Sequence, residues 1–249
     1  MDRYLDGVPC WIDLTGDPAF YESLFGWEVT EGVARLDGHA VAGFGASGRS
    51  RWTTAIRVTD LDRTAAAVHA AGGQVLDVAE PGPAGRAATV ADPAGAVFQL
   101  WQAGTRGGAE LVNANGTWNW SNLVTPDPDG AKAFYGAVFG WRRVAFDPSA
   151  LWVLPGYSDR LDELDPSRRE RHGADGIPDD FGNCVGWLLP GDTAEWTVTF
   201  AVADTDKTVE LAASLGATVT VAPHTRPPVR AAELIDPHGA PFAVNTYQP

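Results

Sequence analysis

The chain has 249 residues, 45% of them hydrophobic, enough for one large domain or two of ordinary size. Its formal net charge of −14 argues against nucleic acid and against anionic membrane surfaces as partners. The opening MDRYLDGVPC has no apolar export core, and no apolar run long enough for a membrane helix follows, so a cytoplasmic protein is expected. Cys10 and Cys184 stand far apart without a CxxC spacing and are expected as buried free thiols.

In chain order, PCWIDL alternates in the manner of a half-buried strand. DPAFYESLFG then places Phe20, Leu24 and Phe25 on one helical face, with Asp17 expected as N-cap, Pro18 at N1 and Gly26 as the stop. WTTAIRVTD is a second strand, and DRTAAAVHAAGG a helix ended by glycines. AATVADPAGAVFQLW reads as strand, turn and strand. The glycine-rich residues 104–116 form a connector, so the expected domains are residues 1–103 and 117–249. WNWSNLV and DPDGAKAFYGAVFG then repeat the opening strand and helix, the helix again stopping at a glycine, Gly140.

The repetition covers most of the chain. AFYESLFGWEV, starting at Ala19, returns as AFYGAVFGWRRV, starting at Ala133. Residues 52–98 lie on residues 196–242 without a gap, matching Trp52, Thr53, Asp60, Gly72, Arg86, Asp92, Pro93, Gly95 and Phe98 to identical residues. A repeat of this length signals two similar domains rather than a short-period array. The second copy carries an insertion, residues 155–183, of mixed charge. One short helix is expected around residues 158–170, and the segment is either a solvated excursion or a cap bringing Tyr157, Arg160 or His172 to a ligand.

The order W-x-[DN]-L, FY, FGW, a strand ending in Val-x-Asp, then DPxGxxF, resembles the vicinal oxygen chelate superfamily of glyoxalase I, bleomycin-resistance proteins and extradiol dioxygenases. VAGF and DPAGAVFQLW also look like an actinobacterial two-domain branch often labelled hydroxylases. The resemblance implies an α+β fold of tandem domains, with four βαβββ units forming two curved sheets whose concave faces are ligand cups. It puts the metal-ligand positions of metalloenzyme members at Trp11, Trp120, Thr53, Thr197, Gln99 and Ala243. An indole N–H only donates and cannot bind a cation, so no metal and no other cofactor is expected.

What the resemblance leaves in the cups is aromatic and polar. Trp11, Thr53, Gln99, Trp101, Trp118, Trp120, Asn122, Thr197 and Asn245 are the expected ligand-binding residues. Trp27 and Trp141, after the helix-stopping glycines, are expected to pack in the core. Asp13 is the acid–base candidate, with Tyr157 and His172 as weaker ones. The reading leans to a metal-independent enzyme that tailors a hydrophobic aromatic or polycyclic metabolite in natural-product biosynthesis. The alternative is a non-catalytic drug binder of bleomycin-resistance type, and a metal-dependent glyoxalase or dioxygenase ranks below both. A monomer or weak homodimer is expected, because the duplication supplies both half-cups in one chain.

Overall fold

The structure is a computed structural model and describes residues 3–45, 50–80, 82–146, 149–168, 170, 179–226 and 228–248. The first copy runs β1 (Pro9–Thr15), α1 (Ala19–Phe25), β2 (Glu28–Thr30), β3 (Val33–Leu36) and β4 (His39–Gly45). It continues with β5 (Arg51–Arg57), α2 (Leu61–Ala70), β6 (Gln74–Val78), β7 (Gly85–Ala91) and β8 (Val97–Ala103). The second copy opens with β9 (Thr117–Thr125), α3 (Pro128–Phe139), β10 (Arg142–Phe146), β11 (Ser149–Val153), α4 (Tyr157–Leu164), a 3-10 turn (Asp179–Asn183) and β12 (Cys184–Pro190). It closes with β13 (Glu195–Ala201), α5 (Thr205–Ser214), β14 (Thr218–Arg226), β15 (Val229–Ile235) and β16 (Pro241–Tyr247).

The strands form two eight-stranded sheets, ordered β2-β3-β4-β1-β5-β8-β7-β6 and β10-β11-β12-β9-β13-β16-β15-β14. The orders correspond strand for strand, as the duplication requires. This is the expected α+β architecture of four βαβββ units. Asp60, Asp127 and Asp204 cap α2, α3 and α5 by accepting the backbone N–H three residues on. α1 begins one residue later than its spacing predicts. Pro18 is already helical at φ −74° and ψ −18°, while Asp17 still accepts the Ala19 N–H at 2.9 Å. Gly26 and Gly140 end α1 and α3 at φ 73° and φ 72°, the left-handed geometry that suits glycine.

The chain packs as two compact units that interleave the copies. One comprises Met1–Cys10, Ala55–Gly108 and Ser121–Trp196; the other comprises Trp11–Thr54, Ala109–Trp120 and Thr197–Pro249. A buried polar network lies in each. In the second unit, Tyr21 is fully buried; its hydroxyl accepts from Trp52 Nε1 at 2.8 Å and donates to Asp236 Oδ2 at 3.2 Å. Asp236 Oδ1 in turn accepts the N–H groups of His238 and Ala240 across its own Asp-Pro-His-Gly turn. In the first unit Tyr135 accepts from Trp196 Nε1 at 3.0 Å and donates to Asp92 Oδ2 at 3.1 Å. Asp92 Oδ1 accepts from Ala94 and Ala96. Burial raises both tyrosine pKa values, so each hydroxyl stays protonated and serves its carboxylate as a donor.

These networks explain the motifs. The Tyr of each FY stretch meets the Asp of the DPxG turn written in the opposite copy. The FGW tryptophans complete the same cores: Trp27 and Trp141 stack on Tyr21 and Tyr135, with ring centroids 5.8 and 5.3 Å apart. Their indole N–H groups are satisfied by the carbonyls of Gly116 and Gly7. Both are core residues.

Candidate functional site

On β1, Ile12 and Leu14 are fully buried in the core, which by strand alternation turns Trp11 and Asp13 to the opposite face. Trp11 Nε1 donates to Asp13 Oδ1 at 2.9 Å. Trp11 is only 1% exposed, so it offers its N–H to the site rather than an open stacking surface, while Asp13 is half-buried. β4 runs parallel to β1 with Gly43 in register with Asp13. A methyl group at position 43 would stand 1.9 Å from Asp13 Oδ1 and 2.9 Å from Trp11 Nε1, so the carboxylate fills space that only a glycine leaves open.

Other expected binding residues belong to the same unit. Thr53 on β5 and Thr197 on β13 are half-buried, as is Trp120 on β9. Trp118 is 5% exposed, and its Nε1 is buried without a hydrogen-bond partner. Asn245 accepts a hydrogen bond at 2.8 Å from Asn119, a β9 residue between the two tryptophans that the sequence reading passed over. The Trp152 Nε1 is likewise buried without a partner, within the tryptophan–tyrosine core of the other unit.

The remainder of the expected set lies in the first unit. Gln99 on β8 is half-buried and pairs in register with Ala55 and Thr89. Trp101 is 6% exposed; the Arg106 guanidinium lies over its ring at 4.7 Å, and its N–H is bound to the Arg106 carbonyl at 3.0 Å. Any aromatic ligand stacking there competes with Arg106. Asn122 on β9, the counterpart of Asp13, is buried and in register with Trp187 on β12. Trp187 therefore holds the position that Gly43 holds in the first copy, and it meets Phe181 edge to face at 6.4 Å.

The insertion is anchored where it is described. Asn183 binds the N–H of Ser158 through its side chain and that of Leu154 through its carbonyl. Arg168 binds Asp162 and the Ser158 carbonyl, both at 3.0 Å. Tyr157, the first residue of α4, is half-buried, and its pKa is raised by burial, so near neutrality its hydroxyl stays protonated and cannot serve as a base. His172 lies outside the described residues.

The donor set does not fit a divalent metal. Of the six positions to which the resemblance assigns ligands, Trp11 spends its only polar hydrogen on Asp13, Trp120 is another indole, and Ala243 has no donor atom. Two threonine hydroxyls and the Gln99 amide remain, without a single charged ligand. Among the described residues no group of three or more His, Cys, Asp or Glu side chains is disposed to hold an ion.

Sequence and fold together place the chain in a defined class. The glyoxalase-like domain family matches residues 13–101 and again residues 120–245, and the chain belongs to that family as two tandem copies within the vicinal oxygen chelate superfamily. Among individual relatives, it is 36% identical over 266 residues to "Putative glyoxylase CFP32" of Mycobacterium tuberculosis (strain CDC 1551 / Oshkosh), covering 97% of this chain and 95% of that one. It is 32% identical over 281 residues to the anthracycline biosynthesis protein DauV of Streptomyces sp. (strain C5), covering 98% and 94%. Among solved structures, the 2,3-dioxygenase LapB of Pseudomonas sp. KL28 matches with a TM-score of 0.61 at 12% identity, over 98% of this chain and 94% of that one. The Mn(II)-bound glyoxalase of Novosphingobium aromaticivorans matches with a TM-score of 0.59 at 15% identity, over 97% and 83%. At those identities the likeness is one of fold alone.

Proposed function

We propose that this protein binds a hydrophobic aromatic or polycyclic small molecule and transforms it, without a metal ion or other cofactor, as a step in natural-product biosynthesis. The observation that carries the reading is the Trp11–Asp13 hydrogen bond. It puts a carboxylate held by an indole N–H on the strand face where metal-dependent members keep their first ligand. A hydrogen bond to Oδ1 fixes the orientation of the carboxylate, which suits a general base. A phenolic hydroxyl, or a carbon acid beside a ketone, supplies the proton such a base takes. The unpartnered Trp118 N–H suits a ligand carbonyl, and the half-buried Trp120 offers stacking area. A relative named for anthracycline biosynthesis agrees with a fused-ring substrate.

The second reading, sequestration without turnover, is favoured by one observation: the sequence carries no nucleophile motif of the GxSxG kind. Asp13→Asn separates the two, since it keeps the shape and removes the titratable group. Binding is read from quenching of tryptophan fluorescence by 1,8-dihydroxyanthraquinone, and turnover from mass and retention changes in a panel of tetracyclic anthraquinone aglycones. The enzyme reading expects turnover by the wild type, lost by about 10²-fold or more in Asp13→Asn with binding kept. Tight binding of the panel by the wild type with every compound recovered unchanged establishes the sequestering protein instead. The protein is proposed to act as a monomer or weak homodimer in the cytoplasm, with neither nucleic acid nor membrane as partner; among its described residues no helix is long and apolar enough to cross a membrane.

A further inference from the structure

The two copies are not equivalent at the register position beside the acid–base candidate. In the first copy β1 presents Asp13 and β4 faces it with Gly43; in the second β9 presents Asn122 and β12 faces it with Trp187. The contrast is chemical as well as steric. Asp13 titrates and Asn122 does not, and the side-chain volume absent at Gly43 is occupied by Asp13's own carboxylate. Gly43 is buried and carries no left-handed backbone angle, so a turn does not account for the glycine. The 1.9 Å approach of Asp13 Oδ1 to a Cβ placed there does, because no real side chain tolerates that distance.

We propose that Gly43 is the positioning residue of the site: it opens the space in which Asp13 reaches Trp11, and it confines acid–base chemistry on a phenolic or enolisable ligand to the first copy. The second copy, with an amide beside Trp187, serves no proton transfer. This inference rests on Asp13 being the reacting group, but its geometric half can be tested apart from any reaction.

The test follows the Trp11 indole N–H by 1H–15N spectroscopy, the resonance being assigned from its loss in Trp11→Phe. In the wild type it should lie downfield and shift with pH as Asp13 titrates. In Gly43→Ala it should move upfield and lose the titration, as it does in Asp13→Asn. An unchanged, still-titrating resonance in Gly43→Ala overturns the positioning role whatever the protein binds. If Gly43→Ala does not fold, Gly43→Ala combined with Asp13→Ala decides the matter. Restored folding shows that the clash was with the carboxylate, and continued misfolding overturns the proposal.

The second arm measures 1,8-dihydroxyanthraquinone affinity. Gly43→Ala should weaken it about tenfold, with Trp187→Ala within about twofold of wild type; the reverse pattern overturns assignment to the first copy. A displaced Trp11 resonance in Gly43→Ala, with turnover of the anthraquinone panel undiminished in Asp13→Asn, keeps Gly43 as the positioning residue and refutes the function proposed for Asp13.

Discussion

Replacing Tyr21 by Phe removes one oxygen from the interior and should cost far more than one hydrogen bond. The hydroxyl accepts from Trp52 Nε1 and donates to Asp236, and both contacts are buried. Its loss leaves an indole N–H without an acceptor, which costs about 1–3 kcal/mol, and removes a hydrogen bond to a charged group worth about 1.5–3 kcal/mol. Allowing for partial relaxation, a loss of about 3 kcal/mol is expected. That is a lowering of Tm by about 6–12 °C for a chain of this size. Urea unfolding followed by circular dichroism and fluorescence gives the free energy directly, provided the two probes coincide. Tyr135→Phe should cost a similar amount, because it cuts the matching bonds to Trp196 and Asp92. A double-mutant cycle sharpens the test. In a Trp52→Phe background the orphaned donor is gone, so Tyr21→Phe should cost at least about 1 kcal/mol less than in the wild type. A loss below about 1 kcal/mol for both tyrosine variants, or no coupling between Tyr21 and Trp52, would refute the view that each network stabilises the unit it lies in.

Purified protein should carry well below one equivalent of Zn, Ni, Mn or Fe by elemental analysis; about one per chain, with activity lost to a chelator, would contradict the donor-set argument. Cys10 is fully buried and burial pushes the Cys184 thiol up to about 12, so neither should react with a disulfide reagent at pH 8 until denaturant is added. Reaction of either thiol in the native protein would show that its site opens. Burial raises the Asp92 pKa above its unfolded value, so in that window the native state binds more protons than the unfolded chain. Stability associated with this carboxyl is therefore unaffected below the unfolded pKa and falls as pH rises through the native one. The stability difference between wild type and Asp92→Asn should shift against the wild type over that rise, and a shift in the opposite sense would contradict the burial argument.

Much of this fold is readable in the residues because it rests on local chemistry. Capping aspartates, left-handed glycines and alternating strands act within a few positions, and their repetition gave the unit order. The start of α1 is a local exception: Pro18 has the helical backbone expected of it, but the helix itself begins at Ala19. Long-range partners are harder to read. Nothing near Tyr21 names Asp236 as its acceptor, and a tandem copy offers Asp92 as an equally good candidate. The site was half legible. Strand alternation and the family pattern put Trp11 and Asp13 on one face, but alternation gives no depth, so the near-complete burial of Trp11 and the Arg106 cover over Trp101 could not be read. Gly43 left a usable signal. A glycine inside the apolar run AVAGFG has no turn to make, and such a residue marks the close approach of another group.

The interleaving of the copies gives two like networks unlike histories during synthesis. Tyr135 finds Asp92 across 43 positions, whereas Tyr21 must wait for Asp236, 215 positions later. Closing a loop five times longer costs about 1.4 kcal/mol more chain entropy. A ribosome that has released residues up to Trp196 has delivered every segment of one unit, while Trp11–Thr54 is still without the strands it packs on. Tyr21 and Trp52 then remain hydrated or in temporary company until the last fifty-odd residues emerge. Trp11–Thr54, although made early, is thus among the last segments to settle, and a short C-terminal truncation should leave the tryptophans of that segment exposed rather than only the residues nearest the cut.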